Sequence, residues 1–339
     1  MNNDDEQDFF LLQAQTHFLS SQSMTKFDKL EELKQILRVG GEEMQMKFIA
    51  MTFELDDVKK YPVKIAFQKS FIKNLMDDLE NSHCEMTERF FELYCALLEK
   101  EKSKEKRAQY HHFKICNEEI KEIKKIIIKC DENFLSGGTT GLSLWQAGFS
   151  LAEWALENKQ RLYGKNVLEL GSGSGFTGLV IAAECKAQSV TLTDGHGKVL
   201  QQLVENIKLN CGETKEDGLY HSELLRAKFG TTNLSVVNFL WENPSYAEIE
   251  TPDLILAADV VYDPSVLKHL SKTLLLLLSK KEGSEAILVC TLRNESTLEG
   301  LFNVLGNQVS ISIEKPAVNK YFAYEAQFPI LIYKLTLNK

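Results

Sequence analysis

The stretch Lys165–Gly178, K-N-V-L-E-L-G-S-G-S-G-F-T-G, decides how the rest of the chain folds. Val167, Leu168 and Leu170 form a short apolar run of the kind buried in a parallel sheet. Gly171, Gly173 and Gly175 follow at alternate positions. Phe176 to Cys185 then continues as a helix, with Leu179, Val180, Ala182 and Ala183 for packing. Strand, glycine turn and helix make the first half of a nucleotide-binding unit. Glycine lets the chain turn tightly and lets a ligand approach the backbone. The helix N-terminus adds amides that have no partner within the helix.

Two ligands suit these residues. Gly173, Gly175 and Gly178 also spell G-x-G-x-x-G, and Asp194, at the end of an apparent strand Val190–Asp194, lies 21 residues beyond Gly173. That is the dinucleotide fingerprint. Glu169, two residues before the first glycine, points the other way. A carboxylate facing the turn repels the pyrophosphate of a nicotinamide dinucleotide. It tolerates S-adenosylmethionine, which carries a sulfonium and an amino group but no phosphate. In either case Asp194 accepts hydrogen bonds from ribose hydroxyls. The stretch favours S-adenosylmethionine and leaves the nicotinamide cofactor open.

A chain of 339 residues allows two domains with ample core. With 44% hydrophobic and 26% charged residues, the composition is that of a globular protein. A net charge of −9 argues against phosphate neutralisation, and so against a nucleic-acid partner. It fits a basic protein partner, or simply keeps the chain soluble. The seven cysteines include no C-x-x-C, which suits a reduced, cytoplasmic protein without a zinc site or disulfide framework. The acidic N-terminus lacks the apolar segment of a secretory signal. The longest leucine run, Leu274–Leu278, is far short of the ~20 residues that span a bilayer. No membrane partner is expected, no metal, and a monomeric state.

Residues 1–130 read as a helical domain. Leu30, Leu33 and Leu37, then Phe67, Phe71 and Leu75, then Phe90, Tyr94 and Leu97, recur at helical spacing. Gly40-Gly41 breaks the first of these helices and Pro62 starts another. Lys100–Arg107 reads as a solvated loop or helix end, and Lys114–Lys129, with five lysines, as a strand or helix edge with its lysines in solvent. Residues 131–339 form the second domain. Gly137-Gly138-Thr139-Thr140-Gly141 is a flexible lead-in to a helix carrying Leu144, Gly148, Leu151 and Ala155 on one face. Trp145, at the start of that helix, either closes over a ligand or joins the core. Beyond the glycine unit, helices 197–210, 264–278 and 294–306 alternate with strands 235–241, 253–261 and 286–291. Asn294 is the candidate N-cap and Gly306 the candidate C-cap of the last helix. Alternation implies an α/β fold with a parallel sheet covered on both faces. Val309–Ile313 and Ile330–Leu337, with no helix between them, imply an antiparallel pair at its edge.

Ligands of such sheets bind at the carboxyl ends of the strands. Gly171–Gly175, Asp194, Trp241 and Ala258–Tyr262 should therefore converge. Asp259 stands out because it follows the uncharged run Leu254-Ile255-Leu256-Ala257-Ala258, and a carboxylate leaving a dry sheet must bind something. Asn243-Pro244-Ser245-Tyr246 is similar to the N-P-P-Y motif that holds amides and exocyclic amines, but it precedes strand four rather than ending it, so it reads as a turn.

Taken in order, G-T-T-G-L-S-L-W-Q-A-G, E-L-G-S-G-S-G, L-T-D, F-L-W and D-V-V-Y resemble the family 16 seven-β-strand protein-lysine methyltransferases. The helical N-terminal domain, the length and the T-T-G-x-x-x-W lead-in are most similar to the branch that acts on elongation factor 2, and a fungal member is expected. The resemblance implies a seven-stranded Rossmann-like methyltransferase sheet, with S-adenosylmethionine as cofactor and elongation factor 2 as protein substrate. It implies that Trp145, Gly171, Ser172, Gly173, Asp194, Trp241 and Ala258 contact the cofactor. It places Asp259 and Tyr262 on the substrate-lysine side. An NAD-dependent oxidoreductase or a non-catalytic binding module are the other functions these residues allow.

Overall fold

The computed structural model describes residues 3–21, 24, 27–102, 108–117, 122–130, 141–216, 222–244, 249–293, 295–322, 324 and 327–338. Gly137–Thr140 of the lead-in, Ser103–Arg107, Ser245-Tyr246 and the cap candidate Asn294 lie outside the described residues. Two compact units are present, Met1–Ile115 and Cys116–Lys339.

The first unit contains helices α1 (Asn3–Ser20), α2 (Leu30–Val39), α3 (Gly41–Met51), α4 (Asp56–Lys60), α5 (Ile65–Asn81) and α6 (Glu88–Lys102). Its core forms where the apolar spacing says it should: Leu33, Leu37, Phe71, Leu75, Phe90 and Leu97 are all buried. The rings of Phe18 and Phe53 lie 4.6 Å apart. Gly41, at φ +55°, supplies the turn between α2 and α3.

Helices alone do not fill residues 1–130. Strands β1 (Gln109–Asn117) and β2 (Glu122–Cys130) form a two-stranded sheet, and the division between units falls inside β1 rather than near residue 130. The alternation is concealed by Ile126, Ile127 and Ile128, three consecutive buried residues. β2 is claimed by the second unit through its backbone. The Ile127 and Lys129 amides donate to the side-chain oxygens of Asn210 and Asn206, both at 2.8 Å. Asn210 Nδ2 returns a bond to the Ile127 carbonyl at 2.7 Å. Two asparagines one helical turn apart thus satisfy a strand edge. The lysines are not merely solvated: Lys129 pairs with Glu205, and Lys124 donates to the Ala183 carbonyl.

The second unit continues with α7 (Gln146–Glu157), α8 (Lys159–Leu162), β3 (Asn166–Leu170), α9 (Phe176–Glu184), β4 (Ser189–Asp194), α10 (Gly197–Asn210), β5 (Glu213–Lys215), β6 (Glu223–Phe229) and β7 (Thr232–Asn238). It ends with β8 (Leu254–Ala258), α11 (Leu267–Ser279), β9 (Glu285–Thr291), α12 (Glu295–Leu305), β10 (Val309–Ile313) and β11 (Ile330–Leu337). The sheet order is β10-β11-β9-β8-β3-β4-β7-β6-β5. β9, β8, β3, β4 and β7 run parallel. β11 inserts antiparallel between β9 and β10. These seven strands have the Rossmann-like arrangement, a parallel sheet with one antiparallel strand inserted at its edge, that the resemblance implies. β6 and β5 add an antiparallel extension beyond β7. Strand order reverses at β3 and β8, so the crevice for a ligand opens at their carboxyl ends.

The connection from β10 to β11 is fastened to α7. Glu153, fully buried on that helix, accepts the amides of Tyr321 at 2.8 Å and Phe322 at 2.7 Å. Burial holds its carboxyl above the usual carboxylate range, against the pull of those amides. Phe322 packs edge-on to Phe176 with ring centres 5.0 Å apart.

Candidate functional site

The glycine turn is built on left-handed backbone: φ is +63° at Gly171, +53° at Gly173 and +81° at Gly175. Space as well as dihedral excludes a side chain. A Cβ on Gly171 would lie 2.9 Å from Val260 Cγ1 and 3.8 Å from the Trp241 ring, and one on Gly173 would lie 3.1 Å from the Gly141 carbonyl oxygen. Gly171 therefore meets the residues that follow β7 and β8, and Gly173 meets the lead-in to α7. Ser172 ties the turn to β4: its amide donates to the Thr193 carbonyl at 2.8 Å, and its hydroxyl accepts the Thr193 amide at 3.0 Å.

Asp194 closes the neighbouring side. Its Oδ2 accepts the Gly173 amide at 3.3 Å and its Oδ1 accepts the His196 amide at 3.0 Å. Burial lifts its carboxyl above the ordinary range, and these amides oppose the lift. A carboxylate has about four acceptor sites, so capacity remains for a ligand hydroxyl.

Glu169 requires a correction. It is 3% exposed and lies beneath the turn among Ser172, Thr177 and Gly178, not on an outward face. Its Oε2 is buried with no hydrogen-bond partner among the described residues. Desolvation pushes its pKa up to about 8. A carboxyl so placed is largely neutral near pH 7 and does not confront a pyrophosphate directly. Its part is to support the turn from below.

Across the crevice, β8 ends at Ala258 and the chain turns at Asp259, whose φ of +52° is left-handed for a non-glycine residue. The carboxylate does bind something: Oδ1 accepts the Thr291 amide at 2.8 Å, and Oδ2 accepts the Thr291 hydroxyl at 2.9 Å and Arg293 Nη2 at 3.1 Å. Tyr262 is exposed, and its phenol is held above its ordinary range by desolvation of the hydroxyl and by the negative charges of Asp194 and Asp263. Asp263 caps the following turn by accepting the Ser265 amide at 2.8 Å, with Pro264 in the first helical position. Trp241 lies three residues beyond β7, partly buried against the core under β8.

Trp145 occupies the N-cap position of α7, and its ring is covered by the Arg293 guanidinium, 4.8 Å from ring centre to Cζ. The lead-in is also held at Leu142, whose carbonyl accepts Gln202 Nε2 at 3.1 Å, and at Gly148, whose carbonyl accepts the Thr177 hydroxyl at 3.2 Å. Glycine turn, Asp194, Trp241, the β8 tip and Trp145 are therefore gathered at one end of the sheet. Sequence reasoning missed Thr291 and Arg293. The signal was there in T-L-R after the apolar run of β9, which repeats the logic that singled out Asp259.

The donor set fits S-adenosylmethionine: a side-chain-free backbone cradle, acceptors at Asp194, and no cation from the turn itself to attract phosphate.

A lysine methyltransferase family model matches residues 123–307. Protein-lysine N-methyltransferase EEF2KMT of Homo sapiens is 29% identical over 335 residues, covering 96% of this chain and 97% of that protein. Calmodulin-lysine N-methyltransferase of Arabidopsis thaliana is 31% identical over 153 residues, covering 45% of each. Protein-lysine N-methyltransferase EFM3 of Chaetomium thermophilum is 31% identical over 173 residues, covering 51% of this chain and 49% of that protein.

Proposed function

The chain belongs to the lysine methyltransferase family, and from that premise we propose that it methylates a lysine of elongation factor 2. Its cofactor is S-adenosylmethionine, and the nicotinamide alternative is set aside with the family assignment. The observation that carries the choice of substrate is similarity along nearly the whole chain to EEF2KMT, including most of residues 1–122, which the family model does not reach.

Trp145, Gly171, Ser172, Gly173, Asp194, Trp241 and Ala258 are the residues that would hold the cofactor. When bound, S-adenosylmethionine supplies a methyl group on a sulfonium, open to displacement by an amine. A lysine amine has an ordinary pKa of about 10.4 and acts only when neutral. The apolar approach to the β8 tip, through Val260 and Trp241, strips water from the amine and lowers that value. Asp259 keeps acceptor capacity beyond its three donors, enough to orient the amine while the proton leaves to water. Tyr262 borders the same approach. Fixing two reactants in register contributes about 7–11 kcal/mol in favourable cases.

The N-terminal unit selects the protein substrate in this reading. It carries exposed apolar side chains such as Val39 and Phe91. Val39→Glu or Phe91→Glu should raise KM for elongation factor 2 and leave S-adenosylhomocysteine binding alone.

The test uses the purified chain, elongation factor 2 and radiolabelled S-adenosylmethionine. One labelled band at elongation factor 2 is expected, and S-adenosylhomocysteine, not NAD, should raise Tm. Asp259→Ala should abolish labelling while S-adenosylhomocysteine still binds, though more weakly because Arg293 loses its anchor; unchanged turnover would remove Asp259 from the mechanism. An unlabelled elongation factor 2 alongside another labelled protein in a lysate would overturn the substrate.

A further inference from the structure

Two walls border the crevice, and different parts of the chain fix them. One is the Trp145 lead-in. Its ties through Leu142 and Gly148 run to Gln202 of α10 and Thr177 of α9, on the side of the glycine turn. The other is the β8 tip, where Asp259 holds a left-handed conformation. β9 fixes it from three directions: the Asp259 amide donates to the Val289 carbonyl at 2.9 Å, and the Thr291 amide and hydroxyl donate to its carboxylate.

Arg293 touches both. Its amide donates to the Thr291 carbonyl at 2.8 Å, which folds the chain sharply back at the end of β9. The guanidinium reaches Asp259 Oδ2 through Nη2 at 3.1 Å while its Cζ lies over the Trp145 ring, 4.8 Å from the ring centre. Only a planar, delocalised cation can give an edge to a carboxylate and a face to an indole at once. The Arg293 side chain is 39% exposed, so the ion pair by itself adds little to folding. What the contact fixes is the distance from the lead-in to the tip.

We propose that Arg293 is a positioning residue that clamps Trp145 to Asp259, holding the lead-in at the spacing that admits S-adenosylmethionine. This rests on the cofactor reading of the crevice. Arg293 acts through its two neighbours and need not touch the reacting atoms.

The experiment compares wild type, Arg293→Lys and Arg293→Gln. Hydrogen exchange is followed first, in the ligand-free chain, at the amides of Gly148 and Phe149, which donate to the Trp145 carbonyl at 3.0 and 3.3 Å. Arg293→Gln should speed exchange there by about tenfold, leaving β3 and β4 unchanged. S-adenosylhomocysteine should bind about tenfold more weakly, and KM for S-adenosylmethionine should rise by a similar factor, with kcat falling far less. Arg293→Lys, which keeps the charge but not the plane, should recover only part of the loss. Equal cofactor affinity in wild type and Arg293→Gln would overturn the clamp, as would uniformly faster exchange tracking a lower Tm. A wild-type chain that binds no S-adenosylhomocysteine would refute the cofactor reading instead, and the exchange comparison would still decide whether Arg293 holds Trp145.

Discussion

The Asp194 carboxylate accepts the Gly173 amide at 3.3 Å, so the end of β4 and the glycine turn are one piece. Asp194→Asn sets an NH2 group against one of two backbone donors, Gly173 or His196. A mismatched buried donor costs about 1–3 kcal/mol. Titration calorimetry with S-adenosylhomocysteine should show weaker binding, by about fivefold to about a hundredfold. Wild-type affinity would mean that neither the turn nor a ribose depends on this carboxylate.

Gly173→Ala meets two obstacles. The residue keeps φ +53°, which disfavours any Cβ by about 1–2 kcal/mol, and the new methyl would sit 3.1 Å from the Gly141 carbonyl oxygen. That oxygen belongs to backbone and yields only if the lead-in shifts. Urea denaturation should register the strain, and cofactor affinity should fall with it.

Glu169 makes stability depend on pH. Below its ordinary pKa of 4.5 the carboxyl is protonated in both the folded and the unfolded chain. Between 4.5 and about 8 the unfolded chain has released the proton and the folded chain has not. Folding stability from this group therefore falls as pH rises, by up to about 1.4 kcal/mol per pH unit, and levels off above that window. Glu169→Gln removes the slope. Its advantage over wild type should be small near pH 5 and grow toward pH 8 in denaturant titrations; parallel curves would contradict the burial argument.

Glu153→Ala leaves the Tyr321 and Phe322 amides without their acceptor. The buried Phe322 donor left unpaired should cost about 1–3 kcal/mol, and the half-buried Tyr321 donor less. Proteolysis should enter near residues 318–329 much faster, while Glu153→Gln, which keeps a carbonyl oxygen, should resist cleavage nearly as well as wild type. Equal resistance in both variants would show that the β10–β11 connection is held without the Glu153 carboxylate, by its other contacts with α7.

The parallel core was legible because its signals are local. An apolar run followed by alternate glycines specifies a strand and a turn almost independently of what packs around them, and α10 falls over 197–210 as its periodicity predicts. β5 and β6 were not legible. β5 is exposed along its length, and β6 exists by pairing with β7, so neither announces itself by hydrophobicity. Asp259 was visible as a charge at a strand tip, but its pairing with Thr291 and Arg293 was not, since they come beside it only through the pairing of β8 with β9. The sequence sets Glu169 facing the turn, because it cannot say which side of a buried strand a carboxyl takes when both are covered.

Asn206 and Asn210 set a rule for dissecting this molecule. An enzyme trimmed at residue 130, where composition suggests a seam, would forfeit the strand whose amides those asparagines occupy and leave the side-chain oxygens of Asn206 and Asn210 without the donors they hold. A cut ahead of Gln109 spares that arrangement. The severed catalytic half is then predicted to stay monodisperse in the longer form and to aggregate in the shorter one.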